Sequence, residues 1–159
     1  MIYSISCNTP LGVLKLSSDE SSLKSITFDE EETANQQWIP DVLSETKKQL
    51  NEYFSGERNQ FDIPLDPEGT VFQISVWNLL KELSYGSTIS YSEIARELGE
   101  PAASRAVGMA NGRNPVPIII PCHRVIGNNG KLTGYSGGLE RKKWLLLHER
   151  KFSRKEELF

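Results

Sequence analysis

Residues 111–139 read NGRNPVPIIIPCHRVIGNNGKLTGYSGGL. Pro115, Pro117 and Pro121 fix φ on either side of Ile118-Ile119-Ile120, and each pushes the residue before it toward extended geometry. Cys122 therefore ends a stiff, apolar approach, and His123 and Arg124 follow it directly. A lone cysteine is most often a small buried hydrophobe. Histidine and arginine rarely occupy a dry core, so their immediate succession argues for chemistry instead. A free thiol of pKa about 8.5 is only a few per cent thiolate at neutral pH, and a nearby imidazole or helix N-terminus raises that fraction. Neighbours in a regular strand point to opposite faces, so His123 can serve Cys122 only if the chain turns there or a water intervenes.

Working back from this stretch, residues 102–112 form a short helix made almost wholly of small side chains, with Arg105 its one long arm. Small residues permit tight helix packing; they also make a helix thin enough to press into a groove. Gly99-Glu100-Pro101 precedes it as a turn. Ser90 and Glu93 open an earlier helix as a capping box, with Ile94, Ala95 and Leu98 facing inward. Helix, brief turn, helix is the helix-turn-helix outline, a weak signal by itself. Thr70 and Gln73 form another box, followed by the apolar stripe Phe72, Val76, Leu79, Leu80 and Leu83, ended by Tyr85-Gly86. Nearer the N-terminus, residues 2–6, 11–17 and 22–28 alternate partially and read as strands of a small antiparallel sheet. Residues 41–54 carry helical spacing, with Gly56 as the stop, and 57–69 read as the connection between lobes.

The bulk numbers narrow the function classes. The chain has 159 residues, 38% hydrophobic and 25% charged, which excludes a disordered chain. No apolar run approaches the roughly 20 residues of a membrane span, and the N-terminus lacks the pattern of a secretory signal. Cys7 and Cys122 make no disulfide framework, so a soluble protein of a reducing compartment is expected. The net charge of -3 hides a split. Residues 1–70 hold 13 acidic and 5 basic side chains, a net of -8; residues 71–159 hold 8 and 13, a net of +5. The second half can face an anion while the first faces away; two solvated surfaces of opposite sign are the plainer alternative.

Pro121-Cys122-His123-Arg124-Val125, preceded by Asn114-Pro115-Val116-Pro117 and followed by Tyr135-Ser136-Gly137-Gly138-Leu139, resembles the O6-alkylguanine-DNA alkyltransferase family. The helix Ser104-Arg105-Ala106-Val107-Gly108 and the later Leu147-His148-Glu149 fit the same pattern in order and spacing. The resemblance is strong over 68–150 and limited to size and strand content before that. It implies an α+β fold: an N-terminal antiparallel sheet lobe with a helix (1–68), a mostly helical, winged-helix-like lobe containing the helix-turn-helix (69–152), and a flexible tail (153–159).

The resemblance also implies roles. Cys122 would accept an alkyl group from O6 of guanine, or O4 of thymine, once and irreversibly. His123 would be the base, acting through a water, with Glu149 holding its far side. Asn114 would brace the turn, and Tyr91 would hydrogen-bond the flipped base. Ser136 and Tyr135 would line the base pocket. Arg105 would fill the gap in the stack, and the helix carrying Ser104, Ala106 and Gly108 would lie in the minor groove. Val125 and Arg113 complete the expected contacts. Double-stranded DNA containing O6-alkylguanine is the implied partner of a cytoplasmic (in a eukaryote, nuclear) monomer, with no cofactor, no metal and no membrane. Cys7, Trp38, Trp77 and Trp144 are expected in the core, and His148 on the helix surface. An alkylated-DNA-binding module without transfer and a Cys-His hydrolase are the competing readings.

Overall fold

The computed structural model describes residues 1–29, 31 and 38–157. It divides into two compact units, Met1–Glu68 and Gly69–Phe159.

In the first unit, β1 (Tyr3–Thr9), β2 (Gly12–Ser18) and β3 (Leu23–Asp29) form an antiparallel sheet in that order. Leu14, Leu16 and Ser18 of β2 are buried, the alternation of one sheet face. On β3 the buried pair is Leu23 and Ile26, three apart. A register shift at Ser17/Ser18 accounts for this, because the extra residue puts both on one face. The helix α1 (Asp41–Phe54) lays Val42, Leu43, Leu50 and Tyr53 on that core. Gly56, at φ 85°, donates to the Tyr53 carbonyl and ends it. The 57–69 segment is not merely a connection. Leu23 N–H donates to Pro64 O at 2.9 Å and Asp66 N–H to Leu23 O at 3.2 Å, so the segment pairs with β3. The buried Gln49 amide also clamps Asp62, accepting from its N–H at 2.9 Å and donating to its carbonyl at 3.2 Å. Lys24 adds an ion pair with Asp66. Trp38 departs from the expected core: it is 59% exposed and rests edge-on against Tyr3.

In the second unit, α2 (Val71–Lys81) is started by the full Thr70/Gln73 capping box. Trp77 reaches from α2 to donate its indole N–H to Ala110 O at 2.8 Å, tying it to α4 (Ser104–Gly112). Gly69 lies under that indole, where a Cβ would sit 2.6 Å from two ring carbons. Between them come β4 (Ile89–Ser90) and α3 (Tyr91–Glu97), capped by the Ser90 hydroxyl accepting from Glu93 N–H. Gly99, at φ 78°, turns the chain toward α4. β5 (Val125–Ile126) pairs with β4 in parallel, a two-residue ladder too short to read from periodicity. The last helix, α5, runs Leu139–Glu157. The expected tail from 153 is thus helical as far as 157; residues 158–159 lie outside the described residues. No helix among the described residues is long and apolar enough to cross a membrane.

Candidate active site

The proline-rich approach folds into a compact turn. Ile118 takes φ 76°, a left-handed conformation that costs a β-branched residue about 1–3 kcal/mol. Pro121, at φ -80° and ψ 66°, makes an inverse γ-turn in which Cys122 N–H donates to Ile120 O at 2.7 Å. A single 3-10 turn, Cys122–Arg124, follows at once. This removes the strand alternation that would have aimed Cys122 and His123 apart. Asn114 spans the turn: its Nδ2 donates to Ile120 O at 2.7 Å and its Oδ1 accepts from Val116 N–H at 2.9 Å. Asn111 donates to Cys122 O at 3.3 Å from the last turn of α4, a support that nothing in the local motif signals.

α5 brings Glu149 to this turn. Its buried carboxylate takes His123 Nε2 at 2.6 Å, Arg124 Nε at 2.7 Å, Arg124 Nη2 at 3.0 Å and Gly86 N–H at 3.2 Å. Arg124 Nη1 donates in addition to Leu83 O at 2.8 Å. Gly86 is at φ 79°, and a Cβ there would meet Ser153 Oγ at 2.6 Å. Glycine therefore belongs at this position for conformation and for space. Burial acts to raise the Glu149 carboxyl, but the pull of His123 and Arg124 overrides it and holds the group well below the usual carboxylate range. Burial pushes the His123 imidazole down, with Glu149 opposing, so neutral imidazole is favoured. The carboxylate fixes the imidazole proton on Nε2. Nδ1, which has no hydrogen-bond partner among the described residues, is left as the basic atom.

Cys122 is 2% exposed. Burial pushes its thiol up to about 11, while the Asn114 side chain and the charge of Lys142 pull it back. A base is therefore needed to make it nucleophilic. Lys142, fully buried on α5, donates to Thr133 O at 2.7 Å. Tyr135 is held well above the ordinary phenol range by burial and by the charge of Cys122. Among the described residues no group of three or more His, Cys, Asp and Glu side chains could hold a metal ion.

A second cluster lies on the surface of this unit. Tyr91, Ser104, Arg105, Gly108 and Thr133 line a hollow of about 540 Å³. The Tyr91 hydroxyl donates to Thr133 O at 3.3 Å, so one carbonyl serves both Tyr91 and Lys142. Gly108 lies along the Tyr91 ring, and an added Cβ would touch it at an ordinary 3.7 Å. Packing therefore does not demand glycine there; its absence of side chain keeps the helix surface open. Arg105 and Ala106 are exposed on α4, Arg113 is exposed at its C-terminal end, and Ser136 is exposed in the 127–138 loop. Val125 is enclosed in β5. His148 departs from the expected surface position: it is buried and stacked on Trp144 at 4.7 Å. Sequence reasoning passed over Arg124, Lys142, Asn111 and Gly86 as parts of the site. Only Arg124 carried a signal, its place directly after His123.

A helix-turn-helix unit with a buried cysteine beside a histidine–carboxylate pair defines a nucleophilic-cysteine protein class. Residues 71–151 match the family model of the 6-O-methylguanine DNA methyltransferase DNA-binding domain, and 1–67 that of its ribonuclease-like domain. The chain belongs to the 6-O-methylguanine DNA methyltransferase family. The methylated-DNA–protein-cysteine methyltransferase of Methanosarcina acetivorans is 50% identical over 151 residues, 92% of this chain and 96% of that protein. The Mycobacterium bovis protein of the same name is 49% identical over 150 residues, 92% and 91% of the two chains. The crystal structure of Mycobacterium tuberculosis O6-methylguanine methyltransferase matches with a TM-score of 0.84 at 46% identity, covering 95% of this chain and 94% of that one. Mycobacterium tuberculosis OGT in complex with DNA also matches at 0.84, with 48% identity over 92% of each chain. The family resemblance and the α+β fold read from the sequence are both borne out.

Proposed function

We propose that this chain repairs DNA by moving an alkyl group from O6 of guanine, or O4 of thymine, onto Cys122, once per molecule. The observation that carries the reading is the Cys122–Arg124 turn set against Glu149, with His123 Nε2 engaged at 2.6 Å and Nδ1 left as the base.

The duplex hides O6, so the nucleotide must leave the stack, at a cost of a few kcal/mol. α4 enters the minor groove, and Arg105 fills the vacated place and offsets part of that cost. Minor-groove docking reads little sequence, which suits damage that falls anywhere. Basic side chains of the second half contact phosphates, so affinity falls with salt. The base enters between Tyr91 and the 127–138 loop. His123 takes the Cys122 proton, through a water, and the sulfur attacks the alkyl carbon in line. The carbon–oxygen bond breaks, its electron pair returns to the base, and the proton follows with Tyr91 stabilising the leaving group. The product is a thioether that no group of the site is placed to cleave. The acceptor must stay a reduced thiol, which fits the cytoplasm with access to DNA.

With methylated duplex in excess, demethylated product should rise to one equivalent of protein and stop. Product accumulating beyond one equivalent would exclude single use and favour a turnover hydrolase.

A further inference from the structure

Besides Arg105, α4 carries a second long side chain. Met109 is 60% exposed, whereas Val107, the other large apolar residue of the helix, is fully buried. Arg105, Met109 and Arg113 follow at intervals of four, so they form one stripe, and all three are exposed. Met109 also lines the hollow of about 540 Å³ together with Arg105, Gly108, Tyr91 and Thr133. A long side chain on a helix leans back over the preceding turn, so Met109 covers the surface toward Arg105. An apolar group between two cations fits a partner whose surface is itself mixed. The minor groove is such a surface, with sugars and base edges between rows of phosphate. An apolar protein patch would leave both arginines without counter-charge, and phosphate alone would leave Met109 without an apolar contact.

We propose that Met109 is a further DNA-contacting residue: its side chain presses on the sugar and base edges of the minor groove one helical turn from Arg105 and helps hold open the step that the extruded nucleotide has left. The proposal rests on the repair reading, in which α4 enters that groove. Methionine is unbranched and polarizable, so it moulds to the irregular edge of an opened step. Apolar wedges of this kind offset the cost of unstacking. The contact is with sugar and base, so it adds affinity without releasing counterions. Met109 takes no part in bond making or breaking.

The test compares the full chain with Met109→Gln and Met109→Leu on one oligonucleotide containing O6-methylguanine, as duplex and as single strand. A single strand has no pairing to break and no step to hold open. Met109→Gln should repair the duplex about tenfold more slowly, the scale of burying the exposed part of a methionine side chain. Its rate on the single strand should stay within about twofold, and Met109→Leu should keep most of the duplex rate. The salt dependence of duplex binding should keep its slope in every variant. Equal duplex rates in Met109→Gln and the unaltered chain overturn the proposal. So does an equal loss on duplex and single strand, which would place the effect in the transfer site, or a shallower salt slope, which would mean a phosphate contact. If Met109→Gln does not fold, Met109→Ala, which favours the helix, carries the same expectations. An unaltered chain that moves no methyl group from either form of the oligonucleotide sinks the repair reading itself; one that does, with Met109→Gln as fast on duplex, sinks this inference alone.

Discussion

Cys122→Ser should abolish alkyl transfer and leave affinity for duplex DNA within about twofold, the scale of a substitution away from the binding surface. Serine is nearly isosteric and can still meet the Asn114 side chain that faces the thiol. An alcohol, however, yields far less anion than a thiol under the same base, and oxygen is the poorer nucleophile toward saturated carbon. The groups proposed to hold DNA, with Arg105 exposed on α4, do not include Cys122. Gel-shift and transfer assays on one preparation separate the effects. Retained transfer would mean that another atom accepts the alkyl group; loss of both activities would mean that Cys122 is needed for the fold.

Glu149→Gln should be the most damaging single change to stability. The carboxylate receives two bonds from Arg124, one from His123 and one from Gly86 N–H, all away from solvent. An amide cannot accept all four, and it leaves the Arg124 guanidinium buried without a counter-charge. Breaking a buried pair in this way costs about 3–5 kcal/mol, against a total stability of about 5–15 kcal/mol. Urea unfolding should show this as a large fall in midpoint with little change in slope. The same network sets the acid limit of the unaltered protein. His123 is held neutral and Glu149 ionised in the folded state, so the unfolded chain binds more protons at each. Stability should therefore fall as pH drops below about 6.5 and again below about 4.3, and Glu149→Gln should show a smaller second fall. An unchanged urea midpoint, or acid sensitivity with the second fall intact in Glu149→Gln, would contradict this account.

Local signals that reside in neighbouring residues were legible. The Thr70/Gln73 box starts α2. The apolar spacing of 41–54 is α1, and strands near 2–6, 11–17 and 22–28 are β1 to β3 shifted by one to three residues. The motif around Cys122 pointed to chemistry because Cys, His and Arg adjoin. What it could not show is the turn that lets adjacent side chains cooperate, since that depends on Pro121 adopting an inverse γ-turn and Ile118 a positive φ. Two features depend on partners far along the chain. Arg124 adjoins Cys122 and His123, yet nothing local names Glu149 as its partner, and nothing local names Thr133 O as the acceptor for Lys142. His148 and Trp38 exchanged their expected environments for the same reason: composition ranks burial by residue type, whereas Trp144 offers His148 a stacking face and Tyr3 leaves Trp38 at the rim. The segment 57–69 carries prolines and polar residues, yet its backbone groups find partners on β3 and Gln49 that no local pattern announces.

The most direct measurement is the peptide mass of Cys122 after the protein meets duplex DNA containing O6-methylguanine. The account predicts that the Cys122 peptide alone becomes heavier by one methylene unit, with Cys7 unmodified and guanine restored in equal amount. An unaltered Cys122 peptide alongside repaired DNA, or the added mass on another residue, would contradict it.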